Sequence, residues 1–281
     1  MKKLVVALSV LACAYSHAAE RIVSGAGPIT ETVYALDSSA LLVGVDTSSV
    51  YPPEAGKLPQ VGYARQLSAE GILSVQPGVL LVTEEAGPPE VLNQIKEAGV
   101  KVVQVPAAHS VPLAIERITK IGETLGKSAE AGKLTETVRR DIASLQSRIE
   151  AQPGHPKVLF VMAHGGGSLN VSGSDTAADA MIALAGGVNA VQDYKGYKPL
   201  TAEAAVAAAP DVILTTSRAI AGVGGVEGLL KQPGLALTPA GRASRVVVMD
   251  DLYLLGFGPR VGQAAQELFN QLYSSPLAAQ R

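Results

Sequence analysis

One pattern in the 281-residue chain occurs twice, at a constant offset of 133 residues. Leu67-Ser68-Ala69-Glu70 leads to Pro77 and then Val79, Leu80, Leu81 and Thr83. Leu200-Thr201-Ala202-Glu203 leads to Pro210 and then Val212, Ile213, Leu214 and Thr216. Each copy reads as a hydroxyl N-cap, a helix with an acid in its first turn, a proline-bearing turn and a buried strand. Short apolar strings match by chance, but here cap, acid, proline and strand keep one register. A chain built this way folds as two similar halves.

The surrounding sequence fills in those halves. Runs at 22–24, 41–45, 79–83 and 102–105 read as strands, separated by helical patterns at 30–36, 68–75 and 89–98. The pattern restarts with strands at 158–162, 212–215 and 246–249, a weaker one at 188–191, and helices at 176–184, 202–208 and 262–272. Such alternation predicts parallel sheets with crossover helices. Between the halves, Ala131, Leu134, Val138, Ile142, Leu145 and Ile149 form the apolar stripe of one long amphipathic helix. Ser128 is its expected N-cap and Pro153-Gly154 its stop. At 1.5 Å per residue it spans roughly 36 Å, enough to join two lobes as a strut. The expected architecture is α/β: two similar lobes with parallel sheets, joined by one long interdomain helix, with a ligand cleft between them. The expected boundaries are a leader at 1–18, an N-terminal lobe at 19–127, the helix at 128–152 and a C-terminal lobe at 153–281.

Lys2 and Lys3 precede an apolar run from Leu4 to Ala12, and Ser16 and Ala18 fit the −3 and −1 positions of a cleavage site. This is the pattern of a secretory signal peptide. A lipid anchor at Cys13 and a buried N-terminal strand are the other readings of the same stretch. Cleavage after Ala18 removes the single Cys and takes the net charge from −2 to −4. One Cys excludes an intramolecular disulfide, a Cys-based zinc site and an iron–sulfur cluster. The acidic balance does not fit a general nucleic-acid binder. With 4% aromatic residues and no Trp, a base-stacking platform is not expected either.

In open parallel sheets, ligands sit beyond the carboxyl ends of the strands. Two loops there, Gly25 to Pro28 and His164-Gly165-Gly166-Gly167, are expected to face each other across the cleft. The chain has no G-x-x-x-x-G-K-[ST] string, no G-x-S-x-G and no H-x-x-x-H pair. Phosphate-loop, serine-nucleophile and single-helix zinc chemistry thus lack their usual signatures.

Gly62-Tyr63-Ala64-Arg65-Gln66-Leu67-Ser68-Ala69-Glu70 is more informative. It sets a Tyr and an Arg two residues apart, just before a helix cap. On extended backbone both side chains point the same way. A phenol with its ordinary pKa near 10 is neutral at pH 7. Ferric iron, a hard Lewis acid, can displace that proton, and tyrosinate is a haem ligand. A neighbouring guanidinium favours the phenolate. Taken alone, a loop tyrosine also serves as a packing or surface residue.

Together with Gly27-Pro28-Ile29-Thr30-Glu31-Thr32-Val33-Tyr34-Ala35-Leu36 and Asp175-Thr176-Ala177-Ala178-Asp179-Ala180-Met181 through Gly186-Gly187, this segment gives the mature chain a family look. It resembles the periplasmic haem-binding proteins of bacterial haem ABC importers. The resemblance implies a non-enzymatic periplasmic protein that captures haem b and delivers it to an inner-membrane ABC permease dimer. It implies that Tyr63 is the axial iron ligand and that Arg65 supports its phenolate. His164 stands where some members add a second ligand from the other lobe. Arg218 is implied as a propionate partner, and Tyr194 and Tyr197 as further second-lobe lining. Glu70 and Glu203 match the pair of acids, one per lobe, that docks on permease arginines, a pseudo-symmetry suited to a dimeric permease. First-turn acids are also favoured by the helix dipole alone. A ferric siderophore or cobalamin on the same fold is the alternative, and an exported hydrolase the more distant one.

Overall fold

The computed structural model describes residues 21–107, 109–164 and 168–274. The expected leader and Gly165 to Gly167 lie outside the described residues. The N-terminal lobe runs β1 (Ile22–Ser24), α1 (Gly27–Ala35), β2 (Leu42–Val45), β3 (Gly62–Tyr63), β4 (Gln66–Leu67), α2 (Ala69–Leu73), β5 (Val79–Thr83), α3 (Pro89–Glu97), β6 (Lys101–Val105) and α4 (Val111–Thr124). The long helix is α5 (Ser128–Glu150). The C-terminal lobe follows with β7 (Lys157–His164), β8 (Ser168–Ser172), α6 (Ala177–Leu184), β9 (Val188–Asn189), β10 (Tyr197–Pro199), α7 (Ala202–Ala208), β11 (Val212–Thr216), α8 (Ser217–Gly222) and α9 (Gly225–Leu230). It ends with α10 (Pro239–Arg242), β12 (Val246–Met249), α11 (Asp251–Leu255) and α12 (Val261–Tyr273).

The first sheet has the order β2-β1-β5-β6 and is parallel throughout. The second has the order β10-β8-β7-β11-β12, with β9 beside β7. The pairings of β7, β9, β11 and β12 are parallel, whereas β8 and β10 are antiparallel additions. The second sheet is therefore mixed. Its first strand is followed by an antiparallel strand rather than a crossover helix, so the loops after β1 and β7 are not structural equivalents. Leu169 and Val171 on β8 are buried while Asn170 between them is less so, the alternation of a half-covered strand.

The repeat is real in three dimensions. Ser68 Oγ caps α2 by accepting from Gly71 N at 3.3 Å, and Thr201 Oγ1 caps α7 by accepting from Ala204 N at 3.1 Å. Each helix feeds a strand buried along nearly its whole length, β5 or β11. Ser128 is not the cap of α5. The carbonyl of Lys127 accepts from Ala131 N at 2.9 Å, which makes Lys127 the N-cap and puts Ser128 inside the first turn.

Apolar burial ties the two lobes together. One continuous core contains Ile29 and Val33 of α1, Ile118 and Ile121 of α4, Val138, Ile142 and Leu145 of α5, and Phe160, Leu268 and Phe269 of the C-terminal lobe. Each fully buried side chain of this kind contributes roughly 1.5–3 kcal/mol. Separate smaller cores cover the outer face of each sheet. No described helix is long and apolar enough to cross a membrane.

Candidate ligand cleft

The two sheets turn their carboxyl ends toward a cleft of about 550 Å³, inside the ~300–1,000 Å³ common for small-molecule and cofactor sites. Tyr63, Arg65 and Glu85 line it from the N-terminal lobe, and Met162, Tyr197 and Arg218 from the C-terminal lobe.

Tyr63 and Arg65 reach the cleft on a β3–β4 hairpin whose two-residue turn is Ala64-Arg65. Arg65 thus lies in the turn rather than on extended backbone. The two side chains share the cleft because the hairpin tip projects into it, not through strand periodicity. Gly62 makes this possible: its φ of +106° is a backbone conformation that side chains resist. The hairpin is tied down on both sides. Val61 N donates to Val45 O at 2.9 Å and Thr47 N to Gly62 O at 3.0 Å, while Gly87 N donates to Ala64 O at 3.0 Å and Leu67 N to Gly87 O at 2.8 Å.

Beside it lies a fully buried carboxylate, Asp46. It accepts from Ser49 Oγ at 2.7 Å and Ser48 Oγ at 2.8 Å, and Ser48 Oγ accepts in turn from Gly27 N at 2.9 Å. Burial raises the Asp46 pKa; these hydroxyls and the backbone amides of Ser48 and Ala64 oppose the rise. Arg65 donates to the Glu85 carboxylate. That bond, followed by charge attraction to Glu85 and Tyr63, raises the guanidinium pKa against desolvation, so Arg65 stays charged beside the phenol.

On the opposite wall, Arg218 sits in the first turn of α8, where its N–H donates to Asp251 Oδ2 at 3.2 Å. Tyr197 lies on β10, its phenol pushed above the ordinary value chiefly by burial. Tyr194 does not face this cleft. It lines a separate cavity of about 470 Å³ within the C-terminal lobe, and its hydroxyl donates to Val171 O at 3.1 Å. His164 ends β7, and its side chain lies outside what is described. Glu70 and Glu203 are exposed in the first turns of α2 and α7, away from the cleft.

Sequence reasoning missed Glu85, Asp46 and Arg117. Glu85 had a signal: it precedes Arg218 by the same 133 residues as the repeat, so the two follow equivalent strands. Arg117 had none, because it occupies the core face of α4. Its Nη2 donates to Gly256 O at 3.0 Å and to Phe257 O, its Nε has no partner among the described residues, and burial lowers its pKa to about 10. Close by, Arg260 chelates Glu31 at 2.6 and 3.0 Å and stacks on the Tyr51 ring at 3.7 Å. These contacts bolt the turn between α11 and α12 to α1 and α4 of the other lobe.

The same architecture occurs in solved structures. The apo form of the periplasmic heme-binding protein RhuT from Roseiflexus sp. RS-1 superposes with a TM-score of 0.87 and 45% identity, covering 91% of this chain and 98% of that one. The periplasmic heme-binding protein BhuT in complex with two hemes gives 0.85 and 43%, covering 90% and 97%. Among curated sequences, an uncharacterized ABC transporter substrate-binding lipoprotein of Bacillus subtilis, YvrC, is 28% identical over 90% of this chain and 80% of its own length. The model of the periplasmic binding protein family matches residues 22–253, and the chain belongs to that family.

Proposed function

We propose that this protein captures haem b in the periplasm and delivers it to an inner-membrane ABC permease dimer, acting by binding and release rather than by turnover. The observation that carries this reading is the hairpin that brings Tyr63 and Arg65 together into the interlobe cleft. The phenol supplies the hard oxygen donor that ferric iron prefers, and the guanidinium, held by Glu85, offers positive charge to the phenolate. Arg218 on the opposite wall suits a propionate. His164, at the end of β7, is the nitrogen donor this reading brings from the second lobe. The likeness to RhuT and BhuT, whose names state heme binding, supports the same ligand class. Glu70 and Glu203, exposed at equivalent places on the two lobes, suit two equivalent basic pockets on a dimeric permease.

Titration of the purified protein with haemin, followed by visible absorption, tests the reading. Wild type is expected to bind tightly with the spectrum of phenolate-ligated ferric haem. Tyr63→Ala is expected to weaken binding at least about tenfold, equivalent to ~1.4 kcal/mol. A variant with wild-type affinity and spectrum contradicts the assignment, as does a wild type that takes up cobalamin or a ferric siderophore but no haemin.

A further inference from the structure

We infer that the cavity of about 470 Å³ in the C-terminal lobe is a second binding site, which takes a small amphipathic anion: an apolar body carrying one carboxylate. The inference does not depend on the haem reading, because the cavity and the interlobe cleft share no lining residue. β10 separates them. Tyr197 lines the cleft and the next residue, Lys198, lines the cavity, as successive residues of a strand point to opposite faces. The cavity arises where the two copies of the internal repeat differ. In the first copy Ile72 and Val75, on and just after α2, pack into the outer core of the first sheet. Val75 Cγ2 stands 3.3 Å from where a Cβ on Gly44 of β2 would lie, so that space is full. At the same offset of 133 residues the second copy has Ala205 and Ala208. The smaller side chains leave room between α7 and the second sheet, and Ala208 lines it together with Leu159 of β7 and Val171 of β8. The volume falls in the range common for small-molecule sites.

Leu159 and Val171 are buried, whereas Lys198 and Thr201 are exposed, so an apolar floor meets solvent across a polar rim. Tyr194 forms one wall and is fixed before any ligand arrives. Its hydroxyl donates to Val171 O at 3.1 Å, its carbonyl accepts from Ser174 N at 2.8 Å, and its ring lies 2.6 Å from where a Cβ on Gly173 would stand. Lys198 Nζ sits over that ring, 4.3 Å from its centroid, within the range of a cation–π contact. It makes no ion pair among the described residues. An ammonium is thus held at the cavity with its charge unpaired. The Thr201 oxygen accepts from Ala204 N at 3.1 Å, which leaves the hydroxyl proton as a second donor. A carboxylate head meets these two donors while its apolar body lies on Leu159, Val171 and Ala208. Asp193 is the one acid on the rim; it is exposed and has no ion pair among the described residues, so nothing fixes it at the cavity and Lys198 sets the sign of the ligand.

The test titrates the purified protein by calorimetry with 4-phenylbutyrate and with its neutral analogue 4-phenylbutan-1-ol, in wild type, Lys198→Gln, Ala208→Leu and Tyr63→Ala. Wild type is expected to bind one 4-phenylbutyrate at least about tenfold more tightly than the alcohol. Lys198→Gln is expected to abolish that preference and keep the weaker binding of the apolar body. Ala208→Leu fills the floor and is expected to weaken both ligands at least about tenfold; should it fold poorly, Lys198→Gln decides the matter alone, since its side chain is exposed. Tyr63→Ala is expected to bind 4-phenylbutyrate as wild type does. No binding of 4-phenylbutyrate by wild type overturns the inference, and so does equal affinity for the alcohol. An undiminished preference in Lys198→Gln, or loss of binding in Tyr63→Ala, places the anion elsewhere and overturns it too. Haemin affinity of Lys198→Gln is expected within about twofold of wild type, so failure here leaves the haem reading standing, and failure of haemin to bind leaves this site to be judged on its own titration.

Discussion

Asp46 has no contact with solvent, and its hydroxyl partners join the end of β2 to the start of α1 and to the flank of the Tyr63 hairpin. An amide in its place keeps the shape but presents an N–H₂ to groups that already donate. Asp46→Asn is therefore expected to cost about 1–3 kcal/mol, the range for leaving buried polar groups unsatisfied, as measured by urea unfolding at pH 7. A loss below ~0.5 kcal/mol would refute this role. The pH trend has a definite sign. Because burial raises the Asp46 pKa above its ordinary value, the folded chain takes up this proton at a higher pH than the unfolded chain. Stability from this group therefore increases as pH falls through the folded pKa, and the advantage of wild type over Asp46→Asn widens between pH 7 and pH 4.5. That Tyr63 and Arg65 would share the cleft was legible at this scale from their closeness in sequence, though a hairpin turn and not strand periodicity brings them together. Asp46 was not: a lone acid after an apolar run looks the same whether it faces water or holds a loop.

At the scale of elements, legibility followed regularity. The stripe of α5 was plain because its apolar spacing runs unbroken from Ala131 to Ile149. The helix α4 was hidden because Arg117 interrupts its buried face between Ala114 and Ile118. The strands β8 and β10 have five and three residues, too short for alternation to stand out. The lobes are joined by α4 and α5 and by the pair Glu31–Arg260, which links α1 to the turn before α12. Glu31 is 5% exposed and its partner Arg260 24%, so the pair is mostly desolvated. Breaking a fully buried pair costs about 3–5 kcal/mol; partial exposure here lowers the expectation for Glu31→Gln to ~2–3 kcal/mol. Thermal and urea unfolding would measure it, and a variant within ~0.5 kcal/mol of wild type would show that the latch carries no stability.

At the scale of the whole molecule, the core runs without a break from α1 through α5 to α12. Two lobes sharing packed apolar surface move little, since interiors are close-packed and do not deform continuously. Capture is then a matter of a preformed cleft, and release calls for an external partner to pull the lobes apart. Under the proposed function, docking of the permease on Glu70 and Glu203 would provide one. Replacing both with Ala is expected to leave haemin affinity within about twofold of wild type while reducing uptake in proteoliposomes containing the permease. Undiminished uptake would remove the acids from the docking account. The repeat made the two-lobed form readable from sequence, while the mixed second sheet and the interlobe latch became visible only once the halves were folded against each other. The most direct measurement is a crystal structure of the haem-loaded protein. It is predicted to show the Tyr63 oxygen bonded to iron with Arg65 beside it; a porphyrin seated in the cleft with that oxygen turned away from the metal would contradict the mode of capture.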